Sequence, residues 1–148
     1  STYYRYYQNP FDQLNKIQEE LIHELYLHIE KLVKNIDSSL QSASSNYTSN
    51  MIEYLEYVQS QRDVIQILLS IFPDNQFLTT FVRYIQANLQ TLSPVANNSC
   101  RLYDFIFASS GCIGLLVHWL TNDPEMSAED LAKSMVSYTI LFTSKKQQ

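Results

Sequence analysis

The feature that most restricts the fold of this chain is an apolar segment from Leu102 to Leu120, with the sequence LYDFIFASSGCIGLLVHWL. Asp104 and His118 are its only acidic or basic residues. A helix that is apolar on every face must be covered on every face. The segment is long enough to cross a bilayer, but no basic cluster flanks it and the other helical segments are amphipathic. We therefore interpret it as a helix buried inside an oligomer.

The start of the chain carries the pattern of a long amphipathic helix. Asn9 is placed to act as the N-cap, Pro10 as the first helical residue, and Asp12 puts a carboxylate in the first turn. Apolar residues then recur at helical spacing on one face: Leu14, Ile17, Leu21, Leu25, Leu32 and Ile36. This stripe predicts a helix that packs along a core.

The middle of the chain predicts three shorter helices separated by polar loops. Asn50 and Glu53 have the spacing of a capping box, which predicts a helix start there after a Ser- and Asn-rich loop at 37–49. A polar break is predicted at 59–63 and a second loop at 93–99. The apolar positions of these helices, among them Phe81, are predicted to face the core.

The end of the chain predicts a further helix that begins at Ser127 as its N-cap, with Glu129 and Asp130 in its first turn. Its apolar stripe suits packing along another helix and consists of Leu131, Met135, Tyr138 and Phe142. No alternating β pattern of comparable strength occurs, so the sequence predicts an all-α fold.

Composition excludes several classes of function. The 148 residues carry 10 Lys and Arg against 15 Asp and Glu, a net charge of −5, which does not suit a chain that neutralises phosphates by itself. Two cysteines, Cys100 and Cys112, are too few for a disulfide framework, and on one helix they would lie about 18 Å apart. With no signal peptide in the sequence, we expect a cytoplasmic protein without a membrane anchor.

Residues of the types used in catalysis do not form a known arrangement. Glu20 and His23 match the Glu-x-x-His spacing of di-iron bundles, but the second such pair is missing. His28 lies within the apolar stripe and is predicted to be a hydrogen-bonded core histidine. Cys112 and His118, six positions apart, would lie on nearly opposite faces of a helix. The sequence therefore predicts no enzyme activity, metal site or cofactor.

Small residues interrupt the apolar segment between Ala108 and Gly114. Each glycine inside a helix costs about 1 kcal/mol relative to alanine. Close approach of another backbone, or room for a ligand, would explain why the chain keeps them. The alternative is that the two glycines have no such role.

Two distant segments resemble one family. The opening STYYRYY, followed by Asp12 and Leu14, resembles the end of the DNA-recognition helix of TetR/AcrR transcriptional regulators. The stretch from Phe107 to Leu120, with MSAEDLA from Met126, resembles the last two helices of a subgroup of their ligand-binding domains. That subgroup is similar to regulators found near dihydroxyacetone kinase operons.

The resemblance implies a division of the chain. Residues 1–8 would be the remnant of the recognition helix, and residues 9–148 the effector-binding and dimerisation domain, with a connecting helix at 9–37. Thr2, Tyr3 and Tyr4 match family positions near DNA, whereas Pro10 stands where members often carry a lysine. Because the first helices of the DNA-binding domain are missing, we expect the chain to be part of a longer regulator that alone binds operator DNA.

The resemblance also implies a homodimer and an effector pocket. The dimer would form through the last two helices as a four-helix bundle, with interface residues Gly111, Gly114, Leu115, His118, Trp119, Leu131, Met135, Tyr138 and Phe142. The pocket residues would be aromatic, namely Tyr54, Tyr57, Phe81, Tyr84, Tyr103 and Phe107. Plain core packing is the alternative role for each aromatic residue.

Together these observations predict an effector-sensing domain in which an unidentified ligand tilts the connecting helix and so changes operator binding. A protein-interaction module without a small-molecule ligand remains open as the alternative. A helical enzyme is the third alternative.

Overall fold

The computed structural model describes residues 9–36, 43–71, 76–92 and 99–144, and within these ranges it consists of helices without strands. The helices are α1 (Pro10–Ile36), α2 (Ala43–Ser60), α3 (Arg62–Ile71), α4 (Gln76–Leu92), α5 (Ser99–Asn122) and α6 (Ala128–Ser144). The all-α prediction is therefore confirmed.

Helix α1 begins as its sequence predicts. The side-chain Oδ1 of Asn9 accepts a hydrogen bond of 3.0 Å from the backbone N–H of Asp12, so it satisfies one of the donors that a helix start leaves open. Leu21, Leu25 and Leu32 of the apolar stripe are buried and Leu14 is half-buried against the core, whereas Ile17 is 38% exposed. The predicted stripe therefore faces the core from Leu14 to Leu32, with Ile17 at its exposed edge.

Helix α2 starts earlier than predicted, at Ala43 instead of Asn50. Glu53 serves a different purpose from the predicted capping box, since its Oε2 lies 3.1 Å from the Lys31 Nζ on α1. A turn at Gln61 separates α2 from α3, at the polar break that the sequence predicted. The Gln61 backbone N–H donates to the Tyr57 carbonyl at 3.1 Å.

The core is organised around α2, which packs against α1 and also against α6. Helix α4 packs against α1 and α3, and α5 contacts α3 and α6. The most deeply buried large side chains are Leu55, Leu68 and Met135, which come from α2, α3 and α6. Burial of these apolar side chains is the main favourable contribution to folding.

The turn between α5 and α6 is fixed by two side chains. The Trp119 indole Nε1–H donates to the Met126 carbonyl at 2.8 Å, so the buried ring has a partner for its polar atom. Ser127 Oγ accepts from the Asp130 N–H at 3.1 Å, which confirms the predicted N-cap of α6. No helix in the four described ranges is long and apolar enough to cross a membrane.

Candidate functional site

A pocket of about 30 Å³ lies where α1 to α5 meet. The described residues that line it are all uncharged, and the wall they present consists of apolar atoms. They are Leu25, Tyr54, Val58, Ile65, Phe77, Leu78, Phe81, Ile113, Leu116, Val117 and Leu120. Since Leu25 belongs to α1, the first helix forms part of the wall directly.

Two of the aromatic residues predicted for a pocket line this one. Tyr54 and Phe81 are 5% and 4% exposed, and Phe81 stacks nearly parallel on Phe77, with ring centroids 6.4 Å apart. Burial raises the pKa of the Tyr54 phenol far above its ordinary value, and the neighbouring Cys112 thiol adds to this shift. Tyr54 is therefore neutral, and it presents its ring to the pocket.

Two other predicted pocket residues join helices instead. Tyr57 on α2 stacks on His28 of α1, with ring centroids 5.0 Å apart and 27° between the planes. On α4, the Tyr84 hydroxyl lies 3.1 Å from His23 Nδ1, and its ring meets Tyr26 edge-on at 5.3 Å. These residues connect α1 to α2 and α4 outside the pocket wall described above.

Tyr103 and Phe107 require a correction to the pocket prediction. They are 74% and 67% exposed, because α5 turns Ile113, Leu116 and Val117 toward the pocket and these two aromatic rings away from it. Within a single copy of the chain, neither is part of the described pocket wall.

The outward face of α5 is formed by residues at helical spacing, which we call the α5 outer face: Tyr103, Phe107, Gly111, Gly114 and His118. All of them are exposed in the single chain. Apart from the adjoining backbone of α5 itself, a Cβ atom added at either glycine would meet no described atom within 4 Å. Leu115, beside this face, is half-buried. The small-residue surface predicted from the sequence is therefore accessible. The sequence also predicted that α5 is covered on every face, and its own chain leaves this face uncovered.

Three residues predicted for a dimer interface are covered by their own chain, which corrects that prediction. Trp119, Leu131 and Met135 are 3%, 5% and 1% exposed. Leu131 and Met135 belong to α6, which packs along α2, and Trp119 belongs to α5, which contacts α3 and α6. Tyr138 on α6 is 54% exposed and stays accessible. The Phe142 side chain, like Thr2, Tyr3 and Tyr4, lies outside the described part of the structure.

Comparison with known proteins identifies the class of chain. The family TetR_C_8, described as "Transcriptional regulator C-terminal region", matches residues 45–140. The chain belongs to this family. No curated protein and no solved structure gives a match. Membership confirms the TetR resemblance for the C-terminal region of a transcriptional regulator.

In this TetR_C_8 chain the family match covers almost all of the pocket wall. Of the described wall residues, only Leu25 precedes the matched range, because α1 ends before residue 45. The sequence identified Leu25 only as part of an amphipathic stripe and did not single out Phe77 at all. A stripe indicates which face is buried, but not which of its members border a pocket.

The TetR_C_8 chain also contains a contact between α3 and α5 that the sequence did not predict. Arg62 Nε and Gln66 Nε2 both donate to the Leu120 carbonyl, at 3.2 Å and 2.9 Å. Leu120 is in the last turn of α5, where carbonyl groups lack partners within the helix. The two donors therefore attach the end of α5, and with it one side of the pocket, to α3.

In the described ranges, no group of three His, Cys, Asp or Glu is placed so that it could hold a metal ion. His28 was predicted to be a hydrogen-bonded core histidine; its ring is instead half-buried, stacked on Tyr57 and tilted against Tyr54. Burial raises the pKa of the Cys112 thiol, which disfavours the nucleophilic thiolate.

Proposed function

We propose that this chain is the effector-sensing and dimerisation domain of a TetR-like regulator, and that it controls operator binding through α1. One observation carries the proposal: Leu25, a residue of the helix that would connect to the DNA-binding domain, lies in the pocket wall. The role is one of binding and coupling without catalysis or a cofactor. The regulator would act in the cytoplasm, where its operator is found.

The coupling would work by displacement of α1. A group that enters the pocket between Leu25 and Phe81 presses on both α1 and α4, because close-packed interiors do not yield continuously. Allosteric couplings are typically about 1–3 kcal/mol, so a ligand needs only a modest preference for one position of α1. The His23–Tyr84 and His28–Tyr57 contacts favour one of these positions.

DNA binding belongs to the longer regulator in this proposal. Residues 1–8 would be the end of a recognition helix and 9–148 the regulatory domain, with the connecting helix at 9–37. Thr2, Tyr3 and Tyr4 would lie near the operator. With a net charge of −5, the chain by itself would not bind DNA specifically. The α5 and α6 sequences also support assignment to the subgroup that resembles dihydroxyacetone-kinase-operon regulators.

A homodimer is the second part of the proposal. A second copy would cover the α5 outer face, with Leu115 and Tyr138 beside it. The exposure of Tyr103 and the open space at both glycines support this arrangement, because a second helix could approach closely there. Trp119, Leu131 and Met135 would support the interface from within each subunit.

A matched pair of substitutions in the longer regulator tests the coupling. Leu25→Phe adds bulk at the pocket wall, whereas Leu21→Phe adds the same bulk to the same stripe at a buried position outside the described wall. We expect Leu25→Phe to change operator affinity at least five-fold in a gel shift and Leu21→Phe to leave it unchanged, with circular dichroism confirming both folds. Equal affinities for both variants would refute the coupling.

A protein-interaction module is the second candidate, and the size of the pocket favours it. A cavity of about 150 Å³ accepts benzene, whereas this pocket measures about 30 Å³. A macromolecular effector would need no larger cavity. If the unchanged regulator responds to a protein coregulator but to no small molecule, and Leu25→Phe keeps the response to the coregulator, this candidate replaces ligand sensing.

A further inference from the structure

The chemistry of the pocket wall restricts what can enter it. Each described wall residue is uncharged, and Tyr54 alone among them has a polar atom in its side chain. That hydroxyl contributes nothing to the accessible wall, which is made of apolar atoms. A ligand in this pocket therefore meets aliphatic carbons and ring faces.

A charged group would be unfavourable in such a pocket. It would lose its hydration, and the described wall has neither an opposite charge nor an accessible hydrogen-bonding group to replace the water. An apolar group gains free energy in proportion to the area that it removes from water. The wall thus favours uncharged, apolar groups over ions of the same size.

The pocket volume limits the size of the group. A site for one water molecule needs about 10–15 Å³, and about 150 Å³ is enough for benzene. The pocket, at about 30 Å³, lies near the lower value. It accommodates about two or three non-hydrogen atoms before a wall residue has to move.

We propose that this pocket binds the apolar end of an uncharged small molecule, a short alkyl group of about two or three carbon atoms, in preference to a charged group. This inference rests on the proposed effector-sensing function and names the ligand class. A longer alkyl group held within the pocket would push a wall residue outward, and Leu25 is the wall residue on α1. Ligands of this class would therefore act on the connecting helix by size.

The test uses the full 148-residue chain, with 1-propanol and propionate as probes of equal chain length and different charge. Methyl NMR signals of the leucine, isoleucine and valine residues report binding. We expect saturable shifts with 1-propanol at the methyl groups of Leu25, Val58 and Val117, and at least ten-fold weaker shifts there with propionate. Xenon, an apolar probe without a hydroxyl group, should shift the same signals.

A filled pocket supplies the control. Val58→Ile adds one methyl group at the wall, and Val136→Ile adds it at a buried position on α6 outside the described wall. Val58→Ile should weaken the binding of 1-propanol and xenon at least five-fold, and Val136→Ile should not change it. If Val58→Ile fails to fold, Val117→Ile, at a half-buried wall position, takes its place.

Three results would overturn the inference: shifts that do not saturate, equal shifts with propionate, or no effect of filling the pocket. The NMR binding test and the gel shift described above test different claims, and either can fail without the other. Propanol binding without any effect of Leu25→Phe on operator affinity would refute the coupling alone. A changed operator affinity without propanol or xenon binding would refute the ligand class alone.

Discussion

The imidazole of His28 on α1 lies between two tyrosine rings of α2, 5.8 Å from the Tyr54 centroid and 5.0 Å from the Tyr57 centroid. Tyr54 also lines the pocket. Helix α1 therefore meets the pocket twice, directly through Leu25 and indirectly through His28 and Tyr54. In the proposed function, this double contact would give a bound group two ways to act on α1.

The His28–Tyr57 pair should contribute measurable stability. Stacked aromatic pairs contribute about 0.5–1.5 kcal/mol beyond the area they bury. We expect a double-mutant cycle with His28→Ala and Tyr57→Ala to give a coupling energy in this range from urea unfolding. The same cycle with His28→Ala and Tyr103→Ala, at an exposed position on α5, should give a value near zero. Similar coupling in both cycles would contradict the assigned contact.

Burial predicts a large difference between two leucine substitutions. Leu68 on α3 is fully buried, whereas Leu27 on α1 is 43% exposed. Leu68→Ala should lower the free energy of unfolding by about 2–5 kcal/mol, because it removes buried methyl groups and leaves a cavity. Leu27→Ala should cost less than about 1 kcal/mol, since its side chain already contacts water. Urea unfolding measures both, and equal losses would mean that α3 is not packed as described.

Local features of the fold could be predicted from the sequence where a side chain forms a hydrogen bond with the backbone a few residues away. Asn9 and Ser127 mark helix starts through N-cap hydrogen bonds that involve only neighbouring residues. The predicted start at Asn50 was wrong, since α2 begins at Ala43 and Glu53 pairs with Lys31 on another helix. A capping pattern cannot reveal whether its acidic residue has a tertiary partner.

The orientation of α5 could not be predicted, and this explains the errors in the site. A helix that is apolar on all sides has no sequence signal for its inward face. Packing by α6 buries Trp119 within its own chain, while Tyr103 and Phe107 face outward. On the amphipathic helices, Tyr54 and Phe81 line the pocket, whereas Tyr57 and Tyr84 do not. Amphipathic patterns identify buried faces, and the pocket lies among buried residues.

The buried Tyr54 phenol should make the fold sensitive to alkaline pH. Its pKa is raised by burial, with a smaller contribution from Cys112. Above the ordinary tyrosine pKa of 10.0, the unfolded chain loses this proton and the folded chain keeps it. Unfolding is then favoured, so stability present below pH 10 should fall as the pH rises above it.

Two phenylalanine variants measure this effect. Tyr54→Phe removes the ionisable group and should flatten the decrease in unfolding free energy above pH 10. Tyr103→Phe, at a position 74% exposed, should leave the decrease unchanged. Urea unfolding from pH 8 to 11 provides the data. A pH profile for Tyr54→Phe identical to that of the unchanged chain would show that Tyr54 does not cause the decrease.

The α5 outer face gives the prediction for the proposed homodimer. Because a Cβ at Gly114 would contact no described atom within 4 Å apart from the adjoining backbone of α5, Gly114→Arg should leave the fold of one chain intact. A second helix packed against this face would instead meet both a bulky side chain and a charge. We expect the unchanged chain to sediment as a dimer at micromolar concentration and Gly114→Arg to weaken association at least ten-fold.

The matched control for this measurement is Ser137→Arg, an exposed position on α6 outside the α5 outer face. Its charge and size are the same, so unchanged association would assign the effect of Gly114→Arg to the α5 outer face. Circular dichroism should show equal helix content in both variants. The assignment would be contradicted if the unchanged chain were monomeric, or if Gly114→Arg dimerised as strongly as the unchanged chain. In either case exposed Tyr103 and its neighbours on the α5 outer face would face water in solution.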